Sequence, residues 1–306
     1  MYSQINRQIH SNIRTNHFYS YLMYLNNRRK NDILYFKRLK ELQKIIKNES
    51  LNTFFQPILK LNSGETIGYE ALNRPAANNL FSDTEIFYDF VGQTNQVFFF
   101  ECFCRNLSLK RFIERYKVNQ QDQTSLIFIN IHPHVLLDST YHSGETLQLL
   151  SGLGIEPKQV VFELTEKSAV TDFKLFEQVL SNYREQGFRI AIDDVGSGYN
   201  SLKTLIYLKP EFIKLDKALI QHIDQNKEQQ QLVKLIIDYA KQSFTEIIAE
   251  GIERIEDLAF LCEQGVHYGQ GYALGKPKQE IKPGIIPQHY SHHHEITPRN
   301  LLLKTV

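Results

Sequence analysis

From Leu51 onward, hydrophobic positions gather in short runs, separated by longer stretches in which they recur every three or four residues. The runs at 54–59, 66–71, 126–131, 160–164, 189–193, 212–215, 247–249 and 268–271 predict eight β-strands. The stretches at 98–115, 173–186, 229–242 and 255–263 carry helical spacing. Strand and helix alternate, which predicts parallel strands joined by right-handed crossovers. Eight strands in about 220 residues fit an α/β fold of the TIM-like (β/α)8 barrel type. The first pair departs from this pattern. Leu61-Asn62-Ser63-Gly64 is turn chemistry and leaves room only for a hairpin, so one of those two strands is antiparallel to the rest.

Upstream of the barrel, Leu34, Leu39, Leu42, Ile45 and Ile46 mark an amphipathic helix from Asp32 to about Asn48. Residues 1–31 are rich in Asn, Arg, Ser and Tyr without a period and are expected to form a mobile arm, with 32–50 packed on the barrel. The predicted organisation is a basic N-terminal segment at 1–50, a barrel at 51–278 and a tail containing Pro and His at 279–306.

Charge sharpens this division. Residues 1–50 hold ten Lys/Arg against three Asp/Glu, and the remaining 256 hold 25 against 31, so a net +1 conceals +7 on the N-terminal segment and −6 on the rest. A basic arm of this kind suits nucleic acid or an anionic membrane. It equally suits a helix lying on its own acidic domain, the reading adopted here, with no DNA partner and with the arm as the place for a regulatory one. At 42% hydrophobic and 23% charged residues the chain is neither disordered nor collagen-like. Three cysteines (Cys102, Cys104, Cys262) are too few and too scattered for a disulfide framework or a zinc site. No apolar stretch approaches the roughly 18 residues of a transmembrane helix, and the N-terminus has no signal-peptide core. A soluble cytoplasmic protein is expected.

Strands buried on both faces read as unbroken apolar runs, and these do until their C-terminal ends. There stand Glu70, Asn130, Glu163 with Thr165 and Glu166, Asp193 and Asp194, Lys214 and Asp216, Glu250 and Glu253, and Gln270. A barrel brings all these ends to one mouth, where active sites are built. Packed acids repel and shift each other's pKa unless something neutralises them. Carboxylates with an amide oxygen, and neither Cys nor His among them, favour Mg2+, Mn2+ or Ca2+. The set exceeds what one Mg2+ takes, so two ions sharing a carboxylate suit it, the apparatus of phosphoester hydrolysis. The substrate is not visible by this route.

Several motifs in order resemble those of the EAL-domain cyclic di-GMP phosphodiesterases. They are Phe55-Gln56-Pro57-Ile58, Gly68-Tyr69-Glu70-Ala71-Leu72-Asn73-Arg74-Pro75, Asn130-Ile131, Glu163-Leu164-Thr165-Glu166, Asp193-Asp194-Val195-Gly196-Ser197-Gly198-Tyr199, Lys214-Leu215-Asp216, Ala249-Glu250-Gly251-Ile252-Glu253 and Gln270-Gly271-Tyr272. The resemblance covers about Leu51 to Pro277. It implies a barrel with one reversed strand that hydrolyses cyclic di-GMP to linear pGpG and that works as a homodimer. It further implies two ions, Mg2+ or Mn2+, with Ca2+ inhibitory. By resemblance, Glu70, Asn130, Glu163 and Asp193 hold one ion, and Asp193 with Asp194 serves the second. Lys214 holds the attacking water, and Glu250 is the general base or a further carboxylate on the metals. Arg74 is the phosphate clamp. Gln56, Pro57, Leu72, Asp216 and Gln270 are assigned to the substrate, and Glu253 to support of the metal site. Glu166 steadies the loop that carries Gly196 and Ser197 and leads to the dimer interface. Val195 stands where the family usually has Phe, and Asn200 where it often has Ser. The smaller side chain costs roughly 1–2 kcal/mol of packing if buried, which bears on loop order and dimer coupling.

The rival reading is an inactive EAL domain that binds cyclic di-GMP as a receptor; such proteins lack metal ligands, whereas every aligned position here is filled. An interaction module needing neither nucleotide nor metal leaves the acids unexplained. His132, His134, the run 292–294 and the Cys102/Cys104 pair carry no assigned role.

Overall fold

The computed structural model describes residues 2–118, 125–131, 143–165, 173–197 and 201–287. The strands are β1 (Leu51–Lys60), β2 (Thr66–Pro75), β3 (Leu126–Asn130), β4 (Val160–Thr165), β5 (Arg189–Val195), β6 (Phe212–Leu215), β7 (Glu246–Ala249) and β8 (Tyr268–Gly269). They close into a barrel in chain order. Strands β2 to β8 are parallel neighbours, and β1 runs antiparallel to β8. The expected hairpin is therefore present and β1 is the reversed strand. Its turn closes where Gly64 donates its N–H to the carbonyl of Lys60 at 2.8 Å.

One helix precedes the strands and the others follow β2 to β7: α1 (Tyr2–Lys47), α2 (Thr84–Gly92), α3 (Val97–Val118), α4 (Ser143–Leu153), α5 (Phe173–Glu185), α6 (Ser201–Leu208), α7 (Lys217–Ile220), α8 (Lys227–Ser243) and α9 (Ile255–Glu263). The chain packs as two units, one from residues 1–51 and 74–97, the other from 52–73 and from 98 onward.

In the first unit, the helix expected to start at Asp32 instead starts at Tyr2. The segment 2–47 contains neither Gly nor Pro, so nothing interrupts the helix. Where its side chains are described, Tyr21, Tyr24, Ile33 and Phe36 are exposed, so no apolar stripe marks the helix there. Further along, Arg38 donates from Nε to the carbonyl of Leu80 at 3.0 Å and lies over the rings of Phe81 and Phe90. Tyr35 meets Phe90 edge-on. Asp83 caps α2 by accepting the N–H of Ile86 at 2.9 Å, and Phe87, Phe90 and Val91 form the buried face of that helix.

In the second unit, the barrel interior is a small apolar plug of Ile58, Phe128, Val161, Ala191, Phe212 and Ile248. Side chains on a strand return to the same face every second residue. One step beyond the plug, the same strands therefore present Gln56, Asn130, Glu163, Asp193, Lys214 and Glu250. The polar site is thus one layer of side chains stacked on a dry layer, as the pleat requires. The registers agree: Glu70 sits opposite Phe128, Asn130 opposite Glu163, and Glu163 opposite Ala191. A larger core, including Phe55, Tyr69, Phe112, Phe162, Phe176 and Leu261, fills the space between barrel and helices.

Candidate active site

Lys214 is the centre of the mouth. It is 0% exposed, and its Nζ lies 2.7 Å from Glu163 Oε1, 2.8 Å from Glu250 Oε1, 3.2 Å from Asp193 Oδ1 and 3.5 Å from Glu70 Oε2. Asn130 donates from Nδ2 to Glu70 Oε1 at 3.1 Å and to Glu163 Oε2 at 3.2 Å. Gln270 donates from Nε2 to Glu70 Oε2 at 2.6 Å. Seven residues singled out at strand ends thus form one hydrogen-bonded cluster.

Four carboxylates around one ammonium cannot all be charged without cost. Burial, reinforced by Glu70 and Asp193, pushes the Glu163 carboxyl well above its ordinary range against the pull of Lys214. Burial likewise pushes Glu250 up to about 8, with Lys214 opposing and Asp193 and Glu70 adding to the rise. For Lys214, burial works against the charged form, but Asp193, Glu163, Glu250 and Glu70 outweigh it and hold the ammonium well above its usual value. The cluster has more negative charge than Lys214 neutralises.

Asp193 and Asp194 are neighbours on one strand, yet both serve the mouth. The pairing of β5 with β6 shifts register between Ile192 and Val195, and Asp194 adopts a left-handed φ of 58°. Such a bulge re-aims a side chain, and Asp tolerates the conformation better than most residues. Among the described residues, Asp193, Asp194 and Glu250 bring carboxylate oxygens within 4.8 Å of one another. Gln270 Oε1 is buried and has no hydrogen-bond partner among the described residues. All-oxygen donors, excess negative charge and that buried amide oxygen together fit a hard divalent cation.

The cleft above the cluster has a volume of about 330 Å³ and is lined in part by Gln56, Glu70, Leu72, Asp194, Asp216, Glu250, Glu253 and Gln270. Gln56 donates from Nε2 to the carbonyl of Gly275 at 3.2 Å. Asp216 caps α7 by accepting the N–H of Ala218 at 2.7 Å. Pro57 is buried, and a Cβ at Gly275 would meet its ring, so it stands behind the wall. Arg74 is exposed near the end of β2 and falls in the other packed unit. Glu166, Gly198, Asn200, His132, His134 and the histidines at 292–294 lie outside the described residues. Val195 is buried at 1% exposure. The cleft also takes in Lys217, Gly251, Gly271 and Tyr272, to which sequence reasoning gave no role.

Gly196 has a φ of 103°, and a Cβ there would stand 2.2 Å from Leu219 Cδ1. Gly196→Ala is expected to cost about 2 kcal/mol through the backbone conformation alone, measured by urea unfolding; an unchanged midpoint would contradict this.

Fold and site together define an α/β barrel with a lysine-centred acidic site at its mouth. The family model of the EAL domain matches residues 39–277, and the chain belongs to that family. Over 247 residues, the chain is 31% identical to the probable cyclic di-GMP phosphodiesterase PdeB of Escherichia coli (strain K12), covering 78% of this chain and 45% of that protein. The chain thus spans under half of that relative. The EAL enzyme Bd1971, solved with cAMP and cyclic di-GMP, superposes with a TM-score of 0.72 at 26% identity, covering 81% of this chain and 67% of that one. Klebsiella pneumoniae BlrP1, solved as a manganese/cyclic di-GMP complex, gives 0.66 at 25% identity over 78% of this chain and 57% of that one. Among the described residues, no helix is long and apolar enough to cross a membrane.

Proposed function

We propose that this chain hydrolyses cyclic di-GMP to linear pGpG with two divalent cations, Mg2+ or Mn2+. The observation that carries the reading is the ring of Glu70, Glu163, Asp193 and Glu250 around Lys214, open to the cleft. Relatives named as cyclic di-GMP phosphodiesterases and a neighbour solved with manganese and the dinucleotide support it. Glu70, Asn130, Glu163 and Asp193 would hold one cation, and Asp193 with Asp194 the other. Such ions supply an activated water and charge for the leaving oxygen.

The rest is the work of the protein's own groups. Lys214, held cationic by its neighbours, orients a water beside Glu250, and the Glu250 carboxylate takes the water's proton. The water oxygen bonds to phosphorus, the P–O3′ bond breaks, and the 3′ oxygen leaves as the alcohol by taking a proton from solvent in the open cleft. Gln56, Pro57, Leu72, Asp216 and Gln270 are proposed to seat the nucleotide, with Arg74 gripping a phosphate by its guanidinium fork. Glu253 supports the metal site from the cleft wall. A homodimer is supported by an apolar face, where α6 exposes Ile206 and Tyr207 and α8 exposes Leu232 and Leu235. Tyr239 joins the two helices by donating to the carbonyl of Leu205 at 3.1 Å. Three scattered cysteines, too few for a disulfide framework, suit a reducing cytoplasm. The basic segment 1–50 is proposed as the point of regulatory contact.

The test is incubation with cyclic di-GMP and Mg2+ or Mn2+, read by chromatography. Linear dinucleotide is expected to form, to disappear with EDTA, and to fall at least about 100-fold in Glu70→Ala. Binding without turnover would overturn the enzyme reading in favour of a receptor.

A further inference from the structure

Two loops carry the walls of the cleft nearest Lys214 and Glu250. One leaves β6 and runs through Asp216, Lys217 and α7 to Gln225; the other leaves β7 and runs through Glu250, Gly251 and Glu253 to Arg254. They approach closely near the cleft, where Gly251 has a φ of 64° and a Cβ would stand 2.4 Å from Lys217 Cβ. Farther out, Arg254 ties them together. Its Nη1 lies 2.7 Å from Asp224 Oδ1, 2.9 Å from His222 Nδ1 and 3.3 Å from Asp257 Oδ1. Asp257 is 2% exposed and also accepts the backbone N–H of His222 at 3.3 Å. His222 is itself left-handed, with φ 59°, so the first loop is held in a conformation that needs outside support.

We propose that Arg254 is a positioning residue: by clamping His222 and Asp224 to the start of α9, it fixes the β7 loop against the β6 loop and so sets Glu250 relative to Lys214. This rests on the hydrolase reading above. Lys214 sits on β6 and Glu250 directly follows β7, where these loops begin, and their 2.8 Å contact is what the clamp preserves. Correct placement of reacting groups carries a large share of catalysis, and small displacements are costly.

The experiment compares Arg254→Ala with Arg184→Ala in the full chain. Arg184 is a matched control: it is 25% exposed against 28% for Arg254, and it binds Glu211 Oε1 at 2.8 Å and the carbonyls of Leu208 and Lys209. It lies by the starts of β5 and β6, away from the mouth. Both variants are expected to lose thermal stability. Only Arg254→Ala is expected to lose about tenfold in kcat with KM within about twofold. It should also speed amide exchange at Glu250 and Ile252, and weaken Mn2+ binding followed by electron paramagnetic resonance. Arg254→Lys should recover part of each loss. Equal kcat in the two variants, or a loss confined to stability, overturns the proposal. If the parent shows no turnover, the hydrolase reading fails by itself. The clamp is then judged by exchange and Mn2+ binding, which support it if altered in Arg254→Ala alone and overturn it if unaltered.

Discussion

Lys214→Met is expected to lower kcat by about 10²–10³-fold and to destabilise the cation-free protein by about 3–5 kcal/mol. Methionine keeps the length and the apolar stem but removes the charge. Among the described residues Lys214 is the one fully buried lysine, and Glu163 at 0% exposure has it as its shortest ionic partner at 2.7 Å. Without it, Glu163 and Glu250 must either take up protons or stay charged in a site with little water. Removing one partner of a buried pair is costly because the other remains buried and unpaired. Added Mg2+ should restore part of the lost stability, since a cation can replace the missing positive charge, while turnover stays low because no ammonium orients the water. Urea unfolding in EDTA and in Mg2+ measures both effects. Equal stability of variant and parent in EDTA would show that Lys214 does not hold the carboxylates together.

The barrel and most of its site were legible because each rests on a pattern carried within one strand. Val160 to Leu164 reads as apolar apart from Glu163, and a strand buried on both faces gives such a residue only two places to go, the core or the mouth. The same logic exposed Lys214 and Glu250. The bulge at Asp193 and Asp194 was not legible, because it arises from how β5 pairs with β6 and not from either strand alone. The Arg254 cluster was invisible for a similar reason: His222 and Arg254 are 32 positions apart, and only the closed barrel brings their loops together. The full length of α1 escaped because periodicity reports a buried face, and the described side chains ahead of Asp32, Tyr21 and Tyr24 among them, are exposed. Gly251 stood inside a motif, yet its reason, the close approach of Lys217, lies on another strand's loop.

In EDTA, the melting temperature is expected to fall as pH rises from about 5 to 8, and in Mg2+ this fall should shrink or vanish. Glu250 is pushed from 4.5 up to about 8, mainly by burial, and Glu163 is raised as well. Between those values the folded protein keeps protons that the unfolded chain has released. The native state then binds more protons than the unfolded one, so stability decreases with pH across that window. Above about 8, Glu250 is ionised in both states and contributes no further slope. Asp257, also raised by burial, acts in the same direction. Asp224 and Asp83 are lowered, by the hydrogen bonds from Arg254 and from the Ile86 N–H respectively, so their stabilisation is lost only in acid, below this range. Lys214 is raised, so its contribution persists throughout. A cation bound to the same carboxylates favours their ionised form and removes the reason for protonation. A domain of this size shifts roughly 2–4 °C per kcal/mol, so even a partial loss of this stabilisation is readable as a shift of the transition. Calorimetry from pH 5.5 to 8.5 with and without Mg2+ decides it. A melting temperature that rises with pH in EDTA would mean that the acids at the mouth are already compensated without a metal ion, and the case for cations there would lose its electrostatic basis.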